Sequence, residues 1–501
     1  MEDSKQFIDD GEKGIGSQTS LRSPSPTTDA TFAKSVWRKM DLCLLPVVTM
    51  FYFLSFLDRA NIGNSRVAGL QKDLKMTNNQ YSIALTVTYV PYIVAELPSN
   101  LLLKFSCRPC FLGAPVQVIG PNLMLPTMLT LWGIVTTLQG VLHTYSCLLA
   151  CRFFLGLFEG GVFPGLVLYL SFFYPRQELQ WRISAFFSAA SVSGAFSGLL
   201  AFGIINMNGI GNRPGWAWIF ILEGLFTFVF GITSYFLLPR SPAHASFLTQ
   251  RQKDYVINKL KEDGATGRDD DVDRFSWVEV GRAFALPQVW MLAILFFFAG
   301  TILYGMAYFT PSIVQTLGFT SNRAQLMSVP PFASAFVLTM LGAYISDRYH
   351  CRGFISIFSC VLCVIGFSMF LKSHSHNIQY ASLFFSIPGT YLSAPTLSTW
   401  SANNAAPHTR RATAIAIGFI MTNSGGILAT WLLGALSPAP SYALATRVLL
   451  AFSVLMVAIS ALNTWYLWNQ NNKKAEIRKT STIDSEAPGL GDRSAWFIYA
   501  L

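Results

Sequence analysis

Long apolar blocks alternate with short polar interruptions along most of this chain. A helix needs about 20 apolar residues to cross the hydrocarbon core of a bilayer. Blocks of that length fall near residues 41–66, 80–103, 111–141, 143–172, 183–206 and 216–238, and again near 288–309, 325–346, 353–371, 380–402, 411–434 and 443–467. The pattern predicts an all-α membrane protein with 12 transmembrane helices. A polar stretch, RSPAHASFLTQRQKDYVINKLKEDGATGRDDDVDRFSWVEVGRAF, divides them six plus six. The expected organisation is a disordered polar tail over 1–40, a six-helix bundle over 41–240, a central loop over 241–287, a second bundle over 288–468 and a tail over 469–501. Within the loop, TQRQKDYVINKLKED reads as a helix started by Thr249, and FSWVEVGRAFAL as an amphipathic helix on a membrane surface.

One block is too long. From Leu101 to Gly140 the chain stays apolar for about 40 residues, twice what one helix requires. Its middle, CFLGAPVQVIGP (Cys110 to Pro121), carries Gly and Pro residues that break a single helix. This piece reads either as an insertion ahead of one ordinary span or as part of a kinked, overlong third helix.

Four charged residues interrupt the apolar pattern. Arg152 and Glu159 lie seven residues apart in CRFFLGLFEGGVFPGLVLYLSFFY, two helical turns, so they share a face. Asp58 and Arg59 break the first block, LLPVVTMFYFLSFLDRANIG. A charge near the centre of a membrane helix costs about 2.5–3.5 kcal/mol even on the lenient insertion scale, and is retained where it faces a cavity and works there. Two acids and two bases in one bilayer point to an ion-coupled transporter. Glu96 and Glu223 lie nearer the ends of their blocks and read as groups bonded to neighbouring backbone. In the second half Asn403, Asn404 and Asn423 are the polar residues, with Gly425 and Gly426 allowing close helix approach. Asn423 and Tyr89 are candidates for substrate contact. Helix packing accounts for both equally at this stage, as it does for Tyr92, Tyr304 and Tyr308.

Composition agrees with the membrane reading, with 52% hydrophobic and 12% charged residues against about 25% charged in soluble proteins. The net charge of +10 is scattered over loops and tails, which excludes a nucleic-acid face. Lys and Arg concentrate in the loops on the side of the termini, which predicts both termini in the cytoplasm. Cys107/Cys110 and Cys360/Cys363 match CxxC but lack further ligands at metal spacing. Neither a metal nor a cofactor is expected. No HxxxxD, GxSxG or HExxH pattern supports a membrane enzyme. Two other readings remain: an exporter of a secondary metabolite, and a non-transporting nutrient sensor on the same fold.

The segments FLDRANIGNSRVAGL, YVPYIVAELPSNLLLK, CRFFLGLFEGGVFPGLVLYLSFFYPRQE, GWAWIFILEGLFTFVFG and SDRYHCRG together resemble the anion:cation symporter branch of the major facilitator superfamily. The nearest group is the fungal allantoate permease-like carriers of nicotinate, pantothenate and other small carboxylates. The resemblance implies two six-helix bundles around a central cavity, with alternating access. It implies proton-coupled uptake of a small organic anion by a multi-pass monomer of the plasma membrane. By the same resemblance Asp58 and Glu159 take protons, Arg59 binds the substrate carboxylate, and Arg152 tunes Asp58. Asp347, Arg348 and Arg352, on the loop after the eighth span, resemble the superfamily's gating motif. The independent chemistry agrees, because a substrate anion arriving at a guanidinium competes with the buried carboxylate beside it.

Overall fold

The computed structural model describes residues 26–105, 120–265, 277–349, 351–406, 408–437, 439–480, 486 and 490–501. Every regular element among them is helical. The first half holds α1 (Pro26–Val67), the short α2 (Leu70–Asp73), α3 (Asn78–Phe105), α4 (Pro121–Gln139), α5 (Tyr145–Glu159), α6 (Val162–Ser171), α7 (Arg176–Phe187), α8 (Ala189–Ile205) and α9 (Gly215–Leu237). The connecting segment carries α10 (Gln250–Ala265) and α11 (Trp277–Phe284). The second half holds α12 (Pro287–Thr316), α13 (Ser321–Tyr349), α14 (Arg352–Lys372), α15 (His376–Asn403), α16 (His408–Trp431) and α17 (Ala443–Thr480).

These helices fall on the 12 expected spans, with α5–α6 forming the fourth and α7–α8 the fifth. Nine of the helical segments among the described residues are long and apolar enough to cross a bilayer. Large apolar side chains are exposed, Phe236 at 87%, while a charged one, Arg152, is 3% exposed inside an otherwise apolar core. That is the arrangement a hydrocarbon solvent selects.

Two boundaries differ from expectation. Helix α1 starts at Pro26, and Val36 and Met40 are fully buried, so the stretch from 26 to 40 is not a disordered tail. Trp37 and Phe32 pack on Tyr255 of α10, and these ring contacts supply the burial that a polar-looking sequence concealed. At the other end α17 runs to Thr480, and residues 490–501 fold back on the second half. Lys474 Nζ donates to the carbonyls of Asp492 and Phe497, and Asn404 and Asn471 each bond both backbone groups of Ala500 and Tyr499 respectively. The predicted helix start at Thr249 holds: its amide donates to Gln252 Oε1 at 3.0 Å. The predicted α11 is present as well. The third span begins at Pro121 behind Gly120; residues 110–119 of the ambiguous piece lie outside the described residues.

The halves meet through α1 with α12, α3 with α16, and α8 with α13. Their bonds gather toward the face opposite the chain ends. Ser82 Oγ donates to Thr430 O at 3.0 Å, Gln325 Nε2 to Asn64 O at 3.0 Å, and Ser321 Oγ to Val67 O at 2.9 Å. A Cβ on Gly63 would stand 2.2 Å from Tyr308 O, so only glycine lets α1 and α12 touch there. The molecule is closed on that face.

Candidate functional site

Between the halves lies a cavity lined by residues of α1, α3, α5, α6, α7, α12, α15 and α16. Helix α1 contributes Tyr52, Ser55, Phe56 and Arg59, the one-sided i, i+3, i+4, i+7 set of a helix. Asp58 precedes Arg59 by one residue, roughly 100° around the helix, and therefore points elsewhere. The two charges that are neighbours in sequence thus serve different surroundings.

Arg59 is 8% exposed, and two side chains bond it. Its Nε and Nη2 reach Glu159 Oε1 at 3.0 and 2.8 Å, and its Nη1 donates to the Tyr304 hydroxyl. The guanidinium also lies 5.1–5.4 Å from the ring centres of Phe56, Tyr92 and Tyr304, within cation–π range. Ser55 Oγ donates to the same Glu159 oxygen. Across the cavity Tyr304 OH donates to Asn423 Oδ1 at 3.2 Å. Arg59 is thus shared between a carboxylate of the first half and a hydroxyl of the second.

Glu159 is the last residue of α5, just before Gly160 and Gly161 break the span. Cβ atoms on Gly156 and Gly160 would sit 2.0 Å from Thr88 O and 2.5 Å from Tyr92 O. The glycines let α5 press against α3, which brings Glu159 up to Arg59.

Behind this layer Asp58 faces α4, where Trp132 Nε1 donates to its Oδ2 at 3.2 Å. Arg152 is buried with its guanidinium 5.7 Å from the Phe220 ring centre. No hydrogen bond joins Arg152 to Asp58 among the described residues; they interact through space. The expected grouping of four charges therefore resolves into a bonded pair, Arg59–Glu159, and a looser set around Asp58 and Arg152.

The remaining candidates divide. Asn423 lines the cavity. Tyr89 stands one layer behind: its hydroxyl pairs with Tyr308 OH at 2.8 Å and its ring meets Tyr304 edge-on. Gly425 does permit close approach, since a Cβ there would lie 2.2 Å from Phe297 O. Asp347 and Arg348 occupy the last turn of α13 and Arg352 the first position of α14, so the motif sits on helix ends rather than a loop. Arg352 Nη1 donates to Ser346 Oγ at 3.0 Å and Arg348 is exposed; the Asp347 and Glu96 side chains lie outside the described residues. Glu223 corrects its expectation. It is 6% exposed, well inside α9, and neither carboxylate oxygen has a bonding partner among the described residues.

Sequence reasoning had no ground to single out Ser55 or to separate Tyr304 from other tyrosines. The available signals were spacing alone: Ser55 one turn before Arg59, and Tyr304 one turn before Tyr308.

An all-helical chain that carries its charges inward around a central cavity is built as a membrane transporter. The Major Facilitator Superfamily profile matches residues 48–430. An uncharacterized transporter of Schizosaccharomyces pombe is 34% identical over 499 residues, covering 98% of this chain and 96% of the relative. The high-affinity nicotinic acid transporter of Saccharomyces cerevisiae is 30% identical over 492 residues, covering 97% and 89%. The crystal structure of a D-xylose-proton symporter superposes with a TM-score of 0.63 at 15% identity, covering 84% of this chain and 97% of the symporter. The chain belongs to the Major Facilitator Superfamily. It is a multi-pass membrane transporter, and its fold and relatives are not those of enzymes.

Proposed function

We propose that this protein is a proton-coupled carrier of a small organic carboxylate, of the anion:cation symporter branch, working by alternating access. The observation that carries the reading is Arg59, set in the cavity wall and held by Glu159 from one half and Tyr304 from the other. A planar guanidinium is suited to bind a carboxylate through two parallel bonds. A substrate carboxylate docking there draws Arg59 away from Glu159. The carboxylate of Glu159 is then left uncompensated, and a buried charge stripped of its partner costs about 3–5 kcal/mol. Protonation of Glu159 removes that cost, so one proton accompanies each carboxylate.

The rest of the wall favours a flat, unsaturated acid. Tyr52, Phe56, Phe163, Phe187, Phe296 and Phe419 supply ring faces for offset or edge-on stacking. A relative bearing the name of a nicotinic acid transporter agrees with an aromatic monocarboxylate. Asp58 and Arg152 belong to proton handling, Asn423 to substrate orientation, and Tyr89 to the layer that supports Tyr304. Arg348, Arg352 and Asp347 belong to the gate on the cytoplasmic side, where both termini lie in a plasma-membrane protein. Uptake of radiolabelled nicotinate, pantothenate, allantoate, tartrate and phthalate at two pH values tests the reading. Faster uptake of at least one acid at the lower pH supports it. Uptake of none, or uptake indifferent to pH and to Arg59→Ala, overturns it.

A further inference from the structure

The middle of the first half holds, among the described residues, three buried acids and two buried bases: Asp58, Glu159 and Glu223 against Arg59 and Arg152. With every group ionised this region carries one uncompensated negative charge. An isolated carboxylate in such surroundings costs so much that it takes up a proton instead. Arg59 and Glu159 neutralise each other through direct bonds. The excess therefore falls on Asp58, which has Arg152 nearby, and on Glu223.

The partners of the two acids differ. Asp58 accepts a hydrogen bond from Trp132, whereas Glu223 has no partner for either oxygen among the described residues. Asp58 is the charged group facing Glu223 from α1, and Arg152 stands over Phe220, one turn along the same helix. The other helices packed on α9 near it, α4 and α8, carry no charged residue in their sequences. A carboxylate accepting no bonds is the form that burial disfavours most, and a carboxylic acid is the form it tolerates.

Further buried polar atoms continue from this set toward the closed face. Thr136 Oγ1, both terminal atoms of Gln139 and both of Asn61 lack partners among the described residues. Thr136 and Gln139 follow Trp132 on one face of α4, and Asn61 lies one turn beyond Asp58 on α1. Buried polar groups in native proteins are rarely left unsatisfied, and such a row of donors and acceptors suits a file of solvent. Neither Asp58, Glu223 nor any member of this row lines the substrate cavity.

We propose that Glu223 holds a resident proton in the empty carrier and, with Asp58, forms a proton-exchanging pair served by a polar route through the first half that is separate from the substrate cavity. The pair's role in coupling rests on the carrier reading above. The resident proton does not. Protonated Glu223 leaves Asp58 free to pair with Arg152, and transfer between the two acids moves one proton without changing the buried charge. Such a pair titrates as a unit.

Infrared spectroscopy of the purified full-length protein, without substrate, tests this at neutral pH. A protonated-carboxyl C=O stretch is expected in the parent and lost in Glu223→Gln. Glu223→Asp is expected to shift its frequency, which happens only if the residue at that position bears the proton. Asp58→Asn removes the facing negative charge, so the band is expected to titrate away at lower pH than in the parent. A band that survives Glu223→Gln, or keeps its frequency in Glu223→Asp, overturns the proposal. Uptake that survives Arg59→Ala sinks the carrier reading and leaves this spectrum unaffected.

Discussion

On one side of the cavity stand Arg59 and Glu159, backed by Asp58, Arg152 and Glu223; on the other stand Tyr304, Thr422 and Asn423. Among the described residues, no lining side chain contributed by α12, α15 or α16 is charged. The first half thus carries the charge, with one bonded ion pair, Arg59–Glu159, that costs several kcal/mol to break. The second half reaches that charge through one hydroxyl. A hydrogen bond to a charged group contributes about 1.5–3 kcal/mol, an amount that substrate contacts can replace. The asymmetry suits a carrier in which one half keeps the chemistry and the other half moves over it.

The first way to break that comparison is Arg59→Ala. Uptake is expected to vanish while the protein still folds and reaches the membrane, since the substrate carboxylate loses its fixed counter-charge. Unchanged substrate affinity in the purified variant would count decisively against a charged wall. Glu159→Gln comes next: Gln copies the protonated acid and cannot titrate. Counterflow exchange is expected to survive and gradient-driven accumulation to fail, measured side by side in vesicles. Normal accumulation would shift the coupling onto Asp58 and Glu223.

Tyr304→Phe keeps the ring over Arg59 and removes the hydroxyl that spans the halves. A loss of about tenfold in uptake efficiency is expected from one charge-assisted hydrogen bond. If this variant fails as completely as Arg59→Ala, the second wall is not the replaceable partner described here.

The same contrast recurs at the chain-terminus face. Arg182, at the fifth span, is clamped by Asp41 with contacts of 2.6 and 3.0 Å, and rests 4.1 Å from the Tyr174 ring centre. Arg410, at the eleventh, meets Glu279 of α11 at 2.6 Å and also Asp492 of the folded-back tail. Asp492→Ala is expected to raise hydrogen exchange of the Tyr499 and Ala500 amides by about tenfold or more as the tail loosens. Unchanged exchange would mean that Asn404 and Asn471 hold the tail without the charge.

The smallest effect concerns Glu279. Partial burial pushes its carboxyl up, but hydrogen bonds from Arg410 and Arg282 outweigh this and hold it below the ordinary glutamate value. A depressed folded value means that this contact is fully present above the unfolded value, about 4.3. It is lost as pH falls through the depressed value. Exchange protection of residues 277–284 is therefore expected to persist at neutral pH and to fall only under acid conditions. Loss beginning near neutrality would exclude Glu279 as its source.

Much of this protein was legible from residue order because the bilayer imposes a single rule. Stretches of about 20 apolar residues must become helices, since no other local structure satisfies the backbone in hydrocarbon. That rule located the spans and the polar divide that carries α10 and α11. It also drew attention to Asp58, Arg59, Arg152 and Glu159, because a charge in an apolar stretch has few explanations. The helical start at Pro26 escaped it, since Val36 and Met40 are buried by contacts with distant segments rather than by a long apolar run. The tail 490–501 escaped for the same reason.

Pairing was decided in three dimensions. Asp58 and Arg59 are adjacent in the chain, yet helix geometry turns one toward Trp132 and the other into the cavity. Glu159 meets Arg59 because Gly156 and Gly160 draw α5 onto α3, and Tyr304 meets it because Gly63 lets α12 close on α1. Glu223 looked like a group with backbone nearby and proved to be a buried acid facing Asp58. Chain order sets which residues are costly to bury. Only the packing of helices distant in sequence settles which of them share a charge, because Coulomb energy depends on distance and surroundings that no local spacing specifies.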